Sequence, residues 1–188
     1  MAIHDYNEKL EESQDKELQK QLNTIYEGFF PDKSVVRMDY LDKEEFQRSG
    51  RDLRVVLHKP GKNLFEIVFF ETIEEKIRSP KRSHYKDILI EYLSNVAWGT
   101  LGWIYTSKAD WLSYVKQPNG YLEVLILSMP DLKAWFLVNR SKYEDRASQT
   151  LLSNGKTYTT MNKVVPVEDE LFRNFIRAHG FYYKKIEL

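Results

Sequence analysis

The chain has 188 residues, of which 42% are hydrophobic and 14% aromatic, enough apolar material for one domain with one substantial core. It contains no cysteine, which excludes disulfide frameworks, thiolate zinc sites and cysteine nucleophiles, so a bound metal would need oxygen or histidine ligands. Basic and acidic residues number 28 each, so the whole chain has no net field that would attract nucleic acid.

The sequence also indicates where the protein works. It has no run of eighteen apolar residues, and its first residues lack the pattern of a signal peptide. We therefore expect a cytoplasmic protein that does not bind a membrane.

A helix is predicted near the start of the chain, from about Tyr6 to Phe29. The apolar residues that recur there at intervals of three, four or eight are Leu10, Leu18, Leu22, Ile25 and Phe29. A short extended segment over Ser34–Asp39 and a charged turn over Asp42–Gly50 follow it.

A hairpin is predicted next. Its arms are the branched apolar run Leu53–Leu57 and the apolar run Leu64–Phe70, separated by the turn signal Lys59–Asn63. The second arm continues to Ile77 with mixed apolar and charged residues, which predicts a strand that leaves the core towards solvent.

The rest of the chain adds strands and helices. The predicted elements are strands over Ile88–Tyr92, Tyr121–Leu127 and Thr157–Val165, and helices from Pro130 to Asn139 and from about Glu168 to Ala178. The order predicts one α/β or α+β domain over residues 1–188, in which helices flank a mixed β-sheet. Its central part spans about residues 34–140, and a C-terminal strand and helix span about residues 155–180.

Three acidic residues and a lysine form the candidate site. Glu74 and Lys76 are two residues apart on one strand, so they share a face, whereas Glu75 points the other way. Asp52 begins the first arm, and antiparallel pairing brings it opposite the region around Phe70 to Glu74. Two carboxylates and a lysine suit the cleavage of a phosphodiester with Mg²⁺, which prefers a few carboxylate oxygens and waters.

This pattern resembles the PD-(D/E)XK superfamily of restriction-endonuclease-like nucleases, in particular small uncharacterised members from bacteria and their phages. The resemblance covers residues 39–138 and rests on Gln47-Arg48-Ser49-Gly50-Arg51-Asp52 before a strand and on Glu74-Glu75-Lys76 on the next strand. The sequence departs from the family pattern in having Arg51, where proline usually precedes the aspartate.

The resemblance implies a Mg²⁺- or Mn²⁺-dependent DNA endonuclease. Asp52, Glu74 and the backbone carbonyl of Glu75 would be metal ligands, and Lys76 would position or activate water. The candidates for accessory groups are Gln47, Glu91, Glu27 and Glu12. Glu91 is chosen because an acid inside an apolar segment is costly to bury unless it is paired or bound to metal. Small nucleases of this kind often act as homodimers, although the sequence identifies no interface.

A basic loop follows the candidate site. Lys81, Arg82 and His84 are the candidates for contact with the DNA backbone, and a hydrated surface loop is the alternative. Five aromatic residues further along are either core residues or stacking partners for unpaired bases, and we predict core: Trp98, Trp103, Tyr105, Trp111 and Tyr114.

Three alternatives to the nuclease interpretation stay open, one of which is a structural protein with an unrelated α+β fold. Glu74, Glu75 and Lys76 could form a solvated strand end with a surface ion pair of no functional meaning. The chain could also be a catalytically inactive, nuclease-like binding or inhibitory protein of a phage or mobile element, which the neutral net charge favours.

Overall fold

The computed structural model describes residues 3–5, 16–30, 34–41, 50–58, 69–78, 82–118, 121–151, 156–179 and 183–187. Four α-helices lie in these segments: α1 (Lys16–Phe29), α2 (Trp103–Thr106), α3 (Met129–Asn139) and α4 (Glu170–His179). The first strands are β1 (Ile3–Asp5), β2 (Ser34–Tyr40), β3 (Leu53–His58), β4 (Phe69–Ile77), β5 (Asp87–Asn95) and β6 (Thr100–Leu101). The others are β7 (Trp111–Lys116), β8 (Tyr121–Ser128), β9 (Glu144–Leu151), β10 (Thr157–Pro166) and β11 (Tyr183–Glu187).

The strands form two sheets. The larger is mixed, with the order β11-β8-β7-β4-β3-β2, and its β4–β7 pair is parallel. The smaller has the order β1-β9-β10-β5-β6. The fold is therefore α+β, as expected, but the expectation of a single sheet is wrong, because β5 pairs with β10 and not with the hairpin strands.

Both faces of the larger sheet are covered. On one face, Leu22, Ile25 and Tyr26 of α1 pack against Leu53 and Ile73. On the other, residues of β7 and β8 pack with α3, α4 and β5; these include Leu112, Leu127, Phe136, Phe172 and Ile90. β4 lies between β3 and β7, in the middle of the covered sheet. Its predicted course towards solvent is therefore wrong.

Most elements predicted from periodicity are present. The structure confirms an extended segment over β2, antiparallel pairing of β3 with β4, strands at β5, β8 and β10, and helices at α3 and α4. The helix near the start is confirmed from Lys16 onwards, whereas its predicted part from Tyr6 to Asp15 lies outside the described residues. The turns over residues 42–49 and 59–63 and the strand portion over 64–68 also lie outside them.

The aromatic prediction is partly wrong. Tyr114 is buried, and Trp103, Tyr105 and Trp111 are partly buried against the two cores. Trp98 is 85% exposed, because it lies in the turn between β5 and β6 and not on an inward-facing strand position.

No helix in the described segments is both long enough and apolar enough to cross a membrane.

Candidate functional site

β4 separates its polar residues onto two faces. Lys76 Nζ lies 2.5 Å from Glu74 Oε1 on one face, and Glu75 Oε1 accepts a 2.6 Å hydrogen bond from the Tyr26 hydroxyl of α1 on the other. Glu74 is only 1% exposed, since its strand has a neighbour on each side. Glu74 is therefore not solvated, contrary to the alternative of a solvated strand end, while a function for its ion pair with Lys76 stays a prediction.

Asp52 is fixed against the same strand. Its backbone N–H donates to the Ile73 carbonyl at 3.0 Å, and its Oδ2 accepts from the Glu75 backbone N–H at 2.8 Å. The pairing of Leu53 with Ile73 causes this placement, because Asp52 immediately precedes β3. The structure thus brings Asp52 alongside the Glu74–Lys76 segment, as the hairpin predicts, while the roles of these residues as metal ligands and catalytic groups stay predictions.

The charges of this cluster act on Lys76. Burial favours the neutral amine, but the negative charges of Glu74 and Asp52, with a smaller effect from Glu91, outweigh burial and raise the pKa of Lys76. The ammonium form is therefore held at neutral pH. In this form Lys76 can orient a water molecule or contact a phosphate, but it cannot accept a proton.

Glu74 and Lys76 face a cavity of about 320 Å³ between the two sheets. Its lining comes from both, and comprises Gly50, Glu74, Lys76, Glu91, Ser94, Thr100, Leu101, Trp103 and Thr106. Glu91 of β5, one of the accessory candidates, thus lines the same cavity as Glu74. Its role stays a prediction. The cavity has acidic and basic groups on a partly apolar wall.

Two glycines make close approach to the acids. Gly50 has φ +62°, and a Cβ there would lie 2.5 Å from Glu74 Oε2 and 2.9 Å from Ser107 Oγ. A Cβ on Gly102 would lie 2.4 Å from the Glu91 backbone oxygen. A side chain at either position would therefore displace a candidate acid or its strand.

Lys133 is a second lysine whose charge interacts with Glu74. It belongs to the triplet Asp131-Leu132-Lys133, in which Asp131 lies in the first turn of α3, as expected from its position after Pro130. Its Nζ lies 2.5 Å from the Ser107 carbonyl. Burial lowers the pKa of Lys133, while the charge of Glu74 opposes this shift. Lys133 does not line the cavity but lies close enough for the charge of Glu74 to act on it, and no sequence spacing indicates this proximity.

The other predicted residues lie elsewhere or are not described. Glu27 is exposed on α1, and its neighbour Tyr26 contacts the cluster instead. His84 is exposed with its ring 4.1 Å from that of Tyr85, and Arg82 is partly buried; neither lines the cavity. Gln47, Glu12 and Lys81 lie outside the described residues.

The carboxylates of Glu74 and Asp52 are the candidate ligands for a divalent cation. Oε2 of Glu74 is buried and has no hydrogen-bond partner in the described part of the chain, which is unusual for a carboxylate oxygen. No group of three or more acidic or histidine side chains is arranged there to hold a metal ion. Mg²⁺ needs only one or two carboxylates, since it keeps several waters. Glu74 of β4 and Asp52, immediately before β3, supply that number of carboxylates, and Asp52 Oδ2 already accepts a hydrogen bond from the Glu75 backbone N–H.

The pKa of Glu75 makes folding stability depend on pH. Burial, with a smaller effect from the Asp52 charge, raises this pKa from 4.5 to about 7, although the Tyr26 hydrogen bond opposes the shift. Because the folded pKa is the higher one, the stabilisation is complete below about pH 4.5 and is lost as the pH rises through 7. The shift corresponds to about 3 kcal/mol.

We expect Glu75→Gln to remove this dependence. Denaturant unfolding is measured at pH 4.5 and at pH 8. Between these values the free energy of unfolding should fall by about 3 kcal/mol more in the parent than in the variant. Glu168→Gln, at an exposed site, is the control and should behave like the parent. Parallel stability profiles for the parent and Glu75→Gln would contradict the prediction.

Comparison of the chain with protein-family models, with curated proteins and with solved structures finds no match.

Proposed function

We propose that the protein is a metal-dependent endonuclease that hydrolyses phosphodiester bonds in DNA, with its catalytic hairpin arranged as in restriction-endonuclease-like nucleases. The observation that carries the proposal is the buried carboxylate of Glu74, which has one oxygen beside Lys76 and the other without a partner in the described residues. Burying a carboxylate with an unpartnered oxygen costs free energy of folding. Binding of a metal ion would explain why the protein retains it.

Three groups on the hairpin are the proposed metal ligands. Asp52 and Glu74 would hold Mg²⁺ or Mn²⁺, and the Glu75 carbonyl is the third ligand that the resemblance implies. The cation, when bound, would supply charge neutralisation at the phosphate and a lowered pKa for the attacking water.

The protein's own cations act on the substrate. The Lys76 ammonium, held in its charged form by Glu74 and Asp52, orients the water with its N–H groups. Lys133, whose Nζ donates to the Ser107 carbonyl, would add positive charge from the side of α3. Trp103 and Leu101 form the apolar part of the cavity lining.

A plasmid-nicking assay tests the proposal. The parent protein should convert supercoiled DNA to the nicked or linear form with Mg²⁺ or Mn²⁺, and should not do so with EDTA. Asp52→Asn should abolish cleavage, because the amide keeps the size of the side chain but weakens its affinity for the metal. Glu168→Gln lies at an exposed surface pair and should cut at the parental rate.

A nuclease-like binding or inhibitory protein without cleavage is the competing function, and the equal number of acidic and basic residues favours it. Calorimetry separates the two functions. Binding of Mg²⁺ or Mn²⁺ that disappears in Asp52→Asn supports the nuclease, whereas a parent that binds neither metal supports the competing function.

A further inference from the structure

The turn between β5 and β6 presents an exposed tryptophan beside the cavity. Residues 96–99 are all exposed; Trp98 is 85% exposed and Val96 is 42% exposed. Gly99 closes the turn with φ +63°. Tryptophan is a large amphipathic side chain, and leaving almost all of it in water forgoes the stabilisation that its burial would give.

This turn is joined directly to the candidate site. Thr100 and Leu101 of β6 and Ser94 of β5 line the cavity, and Leu101 is itself 52% exposed. Ser94 Oγ donates to the Leu101 carbonyl at 3.1 Å, next to a register shift in the β5–β6 pair. Trp98 is two residues from Thr100, so the backbone between them spans at most about 7 Å. The backbone of Trp98 therefore lies within about 7 Å of a residue that lines the cavity.

The polymer that fits this arrangement has charged groups and flat apolar groups close together. Lys76 lines the cavity beside the Glu74 carboxylate, and the turn offers the face of Trp98. A nucleic-acid strand combines phosphates with aromatic bases in this way. In a duplex both faces of a base are covered by its neighbours, whereas an unpaired base exposes a face on which tryptophan can stack.

The net charge of the chain also favours an unpaired strand over a duplex. Equal numbers of acidic and basic residues leave the chain without the general attraction to duplex phosphates that most nonspecific binders use. Stacking on an exposed aromatic ring supplies affinity without net charge and does not depend on sequence.

We infer that Trp98 is a stacking platform for an unpaired base of the strand whose phosphate enters the cavity, and that the substrates are single-stranded or locally unpaired DNA. The identification of the polymer rests on the proposed function. The placement of the stacking site rests on the β5–β6 hairpin and its exposure.

Fluorescence titration with a single-stranded oligonucleotide that contains 2-aminopurine tests the inference. The measurement is made in EDTA at fixed salt, so that no cleavage occurs, and the fluorescence of the base analogue reports stacking directly. Trp98→Ala should bind about 5- to 100-fold more weakly than the parent. Trp98→Phe, which keeps an aromatic face, should recover most of the affinity. Val138→Ala removes exposed apolar surface from α3 and is the matched control, expected to bind like the parent.

The outcomes separate this inference from the proposed function. Equal oligonucleotide binding by the parent and Trp98→Ala overturns the inference, even if the parent cuts DNA. Tighter binding of the same sequence as a duplex overturns it as well. Sedimentation showing a dimer that Trp98→Ala dissociates, with no change in oligonucleotide binding, would identify the turn as a contact between copies and also overturns it. A parent that binds through Trp98 but never cuts with Mg²⁺ or Mn²⁺ refutes the nuclease proposal alone.

Discussion

Lys76→Ala should lower the rate of metal-dependent DNA cleavage by about 10²- to 10³-fold, the range expected when one preorganised hydrogen-bond donor of an active site is removed. The reason is the position of Lys76 Nζ, 2.5 Å from Glu74 Oε1 and facing the cavity. The rate is measured under single-turnover conditions with saturating Mg²⁺, so that the loss is attributed to the chemical step.

Stability must be followed in the same experiment, because the substitution leaves the Glu74 carboxylate, 1% exposed, without its cation. Thermal unfolding shows whether the variant is folded at the assay temperature. Lys76→Arg keeps the charge beside Glu74, so it should fold like the parent, yet its planar and larger head group should still cut slowly. Lys86→Ala, at an exposed lysine, is the control for loss of a positive charge. Parental cleavage by folded Lys76→Ala would show that the site has been assigned wrongly.

Arg78→Ala should destabilise the fold by about 3 kcal/mol, the lower end of the range for breaking a buried ion pair. Arg78 Nη1 lies 2.5 Å from Asp87 Oδ1 and donates to the Asp87 carbonyl at 2.8 Å. The two side chains are 6% and 11% exposed. Arg146 Nη1 lies 3.5 Å from Asp87 Oδ2 and still offsets part of the Asp87 charge in the variant. We therefore expect a cost at the lower end of the range. The pair joins the end of β4 in one sheet to the start of β5 in the other.

Urea unfolding measures this effect, and a surface pair provides the comparison. Arg54 and Asp39 are 2.7 Å apart, but their side chains are 37% and 24% exposed, so Arg54→Ala should cost less than about 1 kcal/mol. In a double-mutant cycle, Arg78→Ala with Asp87→Ala should be less destabilising than the sum of the single changes. Equal costs for Arg78→Ala and Arg54→Ala would mean that the buried pair does not hold the sheets together.

The part of the site on one hairpin could be predicted from the sequence because its geometry is local. The apolar alternation of the hairpin arms determines the pairing of β3 with β4, and this places Asp52 beside the Glu74–Lys76 segment. Glu91 was also identified, since an acid inside an apolar strand needs a compensating partner.

The rest depends on contacts between distant parts of the chain. Glu74 is buried because β7 pairs with β4 in parallel, and no pattern within β4 indicates this neighbour. Lys133 of α3 comes near Glu74 of β4 only in the folded chain, and Trp98 is exposed because its turn projects from the second sheet. β9, with the sequence Glu-Asp-Arg-Ala-Ser-Gln-Thr-Leu, has little apolar alternation, so its pairing with β10 could not be anticipated.

We expect Gly50 and Gly102, which lie beside the candidate acids, to differ in how evolution can replace them. The Cβ that Gly50 lacks would meet the Glu74 side chain, so a lineage that replaced Glu74 by a small residue would release much of the constraint on position 50. Asparagine, which tolerates a positive φ, could then appear there. The Cβ that Gly102 lacks would meet the backbone of Glu91, a contact that persists whichever residue occupies position 91. Positions 50 and 74 should therefore change together among descendants of this chain, while position 102 stays glycine.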